Sequence, residues 1–200
     1  MIKKLPSNLI NQIAAGEVVD DPVSIVKELL ENSIDANSTD IEIILFNGGK
    51  SKIIINDNGI GIKREEIKSA FERFATSKIK NTKDLNAIKT LGFRGEALPS
   101  IASISEVLVK SKYGNEVGHE YKILYGKESS LKTSNIEKGT SIEIKNIFNK
   151  LPARKKFLKS ENYEYRKILA LFKYFSLYYY QINMRLINND KIIYSLKASK

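Results

Sequence analysis

The chain has 200 residues, 42% hydrophobic and 28% charged, with a formal net charge of +10 and no cysteine. This is ordinary composition for one domain large enough to bury a core, and it excludes disulfides and thiolate metal sites. Neither a basic-then-apolar leader nor an apolar run of membrane-spanning length is visible, so a soluble intracellular protein is expected.

The charge is unevenly placed. Residues 1–100 hold 14 basic and 14 acidic side chains, and residues 101–200 hold 19 and 9. A polyanion-facing second half is one reading. Compositional drift is the other, because lysine outnumbers arginine 27 to 6 and isoleucine and asparagine abound.

In chain order, residues 7–15 read as a short helix ending at Gly16. Asp21-Pro22 is an N-cap followed by proline at the first helical position. Val23, Val26, Leu30 and Ile34 carry an amphipathic helix from there to about Ala36. Isoleucine-rich runs at 41–46 and 52–56 flank Asn47-Gly48-Gly49 and predict a hairpin. Residues 64–73 read as helix. From Ala75 to Arg94 no apolar period is sustained, apart from a short helix near 83–89, and a mobile lid is expected there. Leu98–Ser103 reads as helix. Strands are predicted at 105–112, 119–125, 130–136 and 140–147, helices at 151–158 and 161–175. A closing hairpin, 184–187 with 191–196, turns at Asn188-Asn189. Helices, then a strand-rich meander, then helices imply an α+β two-layer sandwich with a mixed, mostly antiparallel sheet.

Three stretches carry chemistry. On the helix at 22–36, Glu28, Asn32 and Asp35 fall within about 60° of one another at 100° per residue. That is either a solvated polar face or a magnesium and water site. In the second case Asn32 offers an amide oxygen to Mg²⁺ and Glu28 a base for water. Asp57 follows Ile53-Ile54-Ile55 and precedes Gly59 and Gly61. Its carboxylate can accept from an adenine amino group, or Asp57-Asn58-Gly59 is simply an Asx turn. In Gly92-Phe93-Arg94-Gly95-Glu96-Ala97-Leu98 the glycines can present consecutive N–H groups to phosphates ahead of a helix N-terminus, and Arg94 can add charge or lie on the surface. No G-x-x-x-x-G-K-[ST] occurs, so this is not a Walker-type loop. Thr140, opening a strand after Gly139, can reach a base edge or be an ordinary turn residue. His119 is the only histidine, which leaves no His-based triad or zinc site. The aromatic run Phe172, Tyr174, Phe175, Tyr178, Tyr179 and Tyr180, mixed with Leu169, Leu171 and Leu177, is expected in the core.

Asn11-Gln12-Ile13-Ala14-Ala15-Gly16-Glu17-Val18-Val19 and 26–36 (VKELLENSIDA) resemble the N-terminal region of the MutL mismatch-repair proteins. The match extends through Asp57–Gly61, Ala75-Thr76-Ser77-Lys78-Ile79, Gly92–Leu98 and Pro152–Leu158. It covers nearly the whole chain, more weakly over 105–138 and 160–200. The wider group includes gyrase B, the Hsp90 chaperones and histidine kinases, and implies a Bergerat-type ATP-binding fold. The resemblance implies ATP and Mg²⁺ as ligands, Glu28 as general base, and Asn32 binding Mg²⁺ between itself and the phosphates. Asp35 belongs to the same cofactor face. Asp57 would read the adenine amino group, with Gly61 beside the base and Thr140 in support. Thr76 and Lys78 would lie at the lid hinge, and Gly92, Phe93, Arg94, Gly95, Glu96, Ala97 and Leu98 would close over the phosphates.

The implied function is mismatch repair. ATP would order the lid and drive self-association, with a MutS-type protein and the DNA backbone as partners and no membrane. A cytoplasmic, nucleoid-associated protein is expected, or a nuclear one if the source is eukaryotic. Departures are Phe74 where the family has His, Lys150-Leu151 before Pro152-Ala153-Arg154, and Pro99 in the helix start. The family's second N-terminal subdomain, which supplies a lysine to the terminal phosphate, and its C-terminal dimerisation domain are absent from 1–200. A non-hydrolysing ATP- or DNA-binding fragment, or a chaperone- or topoisomerase-type ATPase, are the alternatives. Lys150, Arg154, Lys155, Lys156 and Lys159 form a stretch suited to phosphate contact, or a solvated helix end.

Overall fold

Alternation along the inner strands decides which side of the one continuous sheet is buried, while the strands at its two edges are mostly exposed. The computed structural model describes residues 3, 6, 10, 15, 16, 18–78, 90–92 and 95–199. The expected helix at 7–15 and the short one near 83–89 lie wholly or mostly outside them. The strands are β1 (Asp40–Phe46), β2 (Lys52–Asp57), β3 (Glu106–Lys112), β4 (His119–Leu124), β5 (Lys127–Thr133), β6 (Gly139–Lys145), β7 (Asn183–Asn188) and β8 (Lys191–Leu196). They form one eight-stranded sheet in the order β5-β4-β3-β6-β2-β1-β7-β8. Only β1 with β7 is parallel; the other pairs are antiparallel.

Helices α1 (Pro22–Asp35), α2 (Ala97–Ile104), α3 (Pro152–Phe157) and α4 (Glu161–Tyr178) complete the described elements. Ile25 and Leu29 of α1, Ile101 and Ile104 of α2, and Ile168 and Phe172 of α4 share one core with the inner residues of the strands. Each fully buried isoleucine of that core contributes roughly 2 kcal/mol of transfer free energy. The result is the expected two-layer sandwich with a mixed, mostly antiparallel sheet. No described helix is long and apolar enough to cross a membrane.

The register lines the inner face up in rows. Leu186, Ile43, Ile55, Ile142, Val109 and Tyr121 make one apolar row across six strands. The next row toward one end of the sheet changes character to Met184, Ile41, Asp57, Thr140, Ser111 and His119. This polar end of an otherwise apolar face is where a site can form without breaking the core.

Four expectations shift. Residues 64–68 are turns and Ser69–Phe71 a 3₁₀ turn, not a helix. Ile67 and Phe71 are the segment's only large apolar residues, too little burial to offset helix nucleation. β5 begins at Lys127 because Tyr125 (φ 51) and Gly126 (φ 77) form a two-residue hairpin turn. The last hairpin turns at Asn189 (φ 47) and Asp190 (φ 62), one residue later than predicted, and its first strand, β7, pairs in parallel with β1. The aromatic run divides. Phe172 and Phe175 are buried, while Tyr174, Leu177, Tyr178 and Tyr180 are exposed.

Candidate functional site

Helix α1 is set by its cap. Asp21 accepts from the Ser24 N–H at 3.0 Å, and its other carboxylate oxygen pairs with Lys167 of α4. With Pro22 next, the helix start is fixed. Glu28, Asn32 and Asp35 on its polar face are only partly exposed. That face looks onto the polar row of the sheet on one side and the segments around 78 and 91 on the other.

Two clusters result, and consecutive residues of α1 feed them. In the first, the Lys78 ammonium lies 2.9 Å from Asn32 Oδ1 and 2.5 Å from Asp35 Oδ2. Asp35 also accepts from the Leu91 N–H at 3.1 Å and the Gly92 N–H at 3.3 Å. One carboxylate therefore ties together both ends of the loop between residues 78 and 91. Lys78 is held at its own backbone by its N–H donating to Thr76 Oγ1 at 3.1 Å. Glu28 stands one turn before Asn32, partly exposed, with Lys27 Nζ at 3.8 Å. Lys27 makes its closer pair with Glu31, at 2.8 Å.

In the second cluster, Ser33 Oγ donates to Asp57 Oδ2 at 3.0 Å and the Gly59 N–H donates to Oδ1 at 2.9 Å. The Asx turn and the buried carboxylate are both real: one oxygen serves the turn and the other meets the helix. Desolvation pushes the Asp57 carboxyl above its ordinary value, although the Gly59 and Thr140 N–H groups and the Ser33 hydroxyl oppose the shift. Thr140 is buried as the register partner of Asp57. Two glycines let the chains close in. At Gly61 (φ 76) a Cβ would lie 2.2 Å from Lys112 O, and at Gly139 (φ 111) it would lie 2.0 Å from Asp57 O. Neither position admits a side chain without moving backbone.

Farther along the same two segments, the Phe74 N–H donates to Gly95 O at 3.0 Å, and Arg73 pairs with Glu96 at 3.2 Å. Phe74 has φ 64 and is 74% exposed, so the residue where the family has His is a surface feature. Ala97 and Leu98 open α2, and Pro99 sits in its first turn, where no backbone donor is required. Phe93 and Arg94 lie outside the described residues.

The basic stretch is less uniform than its sequence. Lys155, Lys156 and Lys159 are exposed, and Lys155 Nζ donates to Asn149 at 2.5 Å. Lys150 Nζ lies 4.3 Å from the centroid of the Tyr125 ring. Arg154 does not join the exposed lysines. Its guanidinium packs 5.8 Å from the Phe148 ring centroid and occupies the space where a side chain at Gly16 would go.

The structure brings together Asn32, Asp35, Lys78 and Gly92, which the sequence spread over a helix face, a hinge and a loop, and separately Asp57 and Thr140. Sequence reasoning missed Ser33, Ser111 and the sharing of α1 between the two clusters. Ser33 follows Asn32 by 100° on the helix, a signal that was available. Ser111 is visible only through strand register.

A family profile described as histidine kinase-, DNA gyrase B-, and HSP90-like ATPase matches residues 21–156. The DNA mismatch repair protein MutL of Fervidobacterium nodosum is 44% identical over 200 residues, covering 100% of this chain and 34% of that protein. The MutL of Clostridium perfringens is 48% identical over 193 residues, 96% of this chain and 29% of that protein. The chain thus spans about a third of the length of the curated relatives it matches. Among solved structures, the Aquifex aeolicus MutL ATPase domain complexed with ADP superposes with a TM-score of 0.73 at 31% identity, over 92% of this chain and 66% of that one. The N-terminal domain of a DNA repair protein gives 0.80 at 30% identity, over 96% and 57%.

Proposed function

Since the chain belongs to the histidine kinase-, DNA gyrase B- and HSP90-like ATPase family, we propose that it is the ATP-binding part of a MutL-type DNA mismatch-repair protein. In this reading it binds ATP with Mg²⁺, hydrolyses it slowly, and uses the nucleotide to arrange its lid and pair with a second copy. The paired form would link a MutS-type protein and DNA to later repair steps, in the cytoplasm of a bacterial cell. The observation that carries the reading is that Asn32 and Ser33, neighbours on α1, serve two clusters of opposite character. The Asp57 cluster is an acceptor set for a base amine, and the Asn32–Asp35 cluster already holds a cation.

The donor set fits magnesium. An amide oxygen beside a carboxylate, with an ammonium between them, is a place that tolerates positive charge. Asn32 would hold the ion, with Asp35 alongside. Bound there, Mg²⁺ would neutralise charge on the phosphates. The chain's own part is positional. Glu28 would orient a water and take its proton as the water oxygen bonds to the terminal phosphorus and the bond to the β–γ bridging oxygen breaks, releasing ADP and phosphate. Asp57, with Thr140 and Gly61, would hold the adenine, and Gly92 and Gly95–Leu98 would lie over the phosphates with Thr76 and Lys78. Lys155, Lys156 and Lys159 would meet the DNA backbone.

The test is ATP binding and turnover with Mg²⁺, on this chain and on Glu28→Ala. Wild-type turnover with a variant that still binds ATP but loses about 10²-fold or more in rate supports the assignment. A chain that binds no ATP overturns it.

A further inference from the structure

We propose that Ser111 is a positioning residue for base recognition, acting through Thr140; this rests on the ATP-binding reading above. Ser111 is fully buried in β3, beside Thr140 in the polar row. Its Oγ accepts from the Ile62 N–H at 2.8 Å and donates to Gly139 O at 3.1 Å. It also lies 2.9 Å from Thr140 Oγ1, a contact in which either oxygen could donate by distance alone.

Counting protons settles the direction. A hydroxyl has one hydrogen and two lone pairs. A carbonyl can only accept, so the Ser111 hydrogen goes to Gly139 O. The Ile62 N–H takes one Ser111 lone pair, and Thr140 must then donate its own hydrogen to the other. Thr140 Oγ1 is left with lone pairs only. It faces the base end of the site as an acceptor, like its register partner Asp57.

Two acceptors side by side suit the amino edge of adenine, directly or through a water that donates to them. They disfavour a keto oxygen at the same place. Ser111 also ties two segments of this end to β3: the loop after Gly61 through Ile62, and the start of β6 through Gly139 and Thr140.

Removing the hydroxyl frees the Thr140 proton to point outward, and a donor there tolerates a keto group. The experiment measures Kd for ATP and GTP, melting temperature and kcat for Ser111→Ala, Thr140→Val and the double variant. The expected result for Ser111→Ala is an ATP affinity about tenfold weaker, one hydrogen bond's worth, a reduced ATP-over-GTP preference, and kcat at saturation within about twofold because the phosphate end is untouched. In the Thr140→Val background the same change should alter ATP affinity less than about twofold. Ser111→Cys keeps the volume with a weak donor; it serves if the alanine variant does not fold, and should show the raised Kd at a near wild-type melting temperature. Wild-type-like Kd and base preference in the folded variants, or effects that simply add to those of Thr140→Val, overturn the proposal. Failure of the wild-type chain to bind ATP overturns the underlying reading instead, so the two failures are distinguishable.

Discussion

The Lys78 ammonium lies 2.5 Å from Asp35 Oδ2, and Asn32 Oδ1 completes its cradle at 2.9 Å. Lys78 thus sits among the groups proposed above to hold a metal ion. The same Asp35 carboxylate accepts the Leu91 and Gly92 N–H groups, so the donors at 91–92 point inward at an acid. In the ATP-binding reading, nucleotide entry would exchange these bonds for new ones.

That exchange is measurable. The Asp35 side chain is only 9% exposed and Lys78 20%, so this pair is sheltered from solvent more than an ordinary surface pair. A double-mutant cycle of Asp35→Asn and Lys78→Met, followed by urea denaturation, should show a coupling of about 1–2 kcal/mol without nucleotide. Saturating ADP with Mg²⁺ should shrink it, because the ligand separates the partners. Zero coupling in the free protein would show that the contact holds nothing.

In the ATP-binding reading, Asp57 sets function against stability. Burial raises its carboxyl pKa above the unfolded value, so between the two values the folded state binds more protons than the unfolded chain. Stability therefore falls as pH rises through that window, and at neutral pH the buried charge is a standing cost. Asp57→Asn should melt higher than wild type at pH 7, with the difference fading as pH drops below the window. ATP binding should be lost in the same variant. Thermal melts from pH 4 to 7 decide it; a variant that melts lower at pH 7 contradicts the argument.

Gly139→Ala asks whether the two halves of the base end can separate. The added Cβ would meet Asp57 O at 2.0 Å, and the residue has φ 111. Left-handed strain and a backbone clash together should cost at least about 2 kcal/mol. Because β6 must then shift against β2, ATP affinity should fall with stability. Unchanged affinity in a destabilised variant would mean that the Asp57–Thr140 register does not matter to binding.

How far the sequence could be read follows the range of each signal. The cap at Asp21-Pro22, the face of Glu28, Asn32 and Asp35, and the glycines at 59 and 61 are local, and each was legible within a few residues. The parallel insertion of β7 beside β1 joins residues more than 130 positions apart, and nothing near Met184 announces it. Tyr125 at φ 51 is an unexpected turn residue, so β5 was placed three residues late. Ser33 is legible as the helical neighbour of Asn32, whereas Ser111 looks like filler until register sets it beside Thr140. The site was readable where one element supplied it and hidden where two strands had to align.

The basic stretch divides into two kinds of residue, and salt separates them. Lys155 and Lys156 are exposed on α3, so replacing both with alanine should leave stability within about 0.5 kcal/mol. If both touch phosphate, the slope of log K against log salt for DNA binding should fall by about 2. Arg154 is different, because its guanidinium packs beside Phe148 and over Gly16. Arg154→Ala should cost about 1–2 kcal/mol through lost packing and leave the salt slope unchanged. Filter binding across a salt series, with melts of each variant, reads both effects. A reversal, with Arg154 setting the slope and the lysines setting stability, would place the DNA contact on the covered side of α3 rather than on its exposed face.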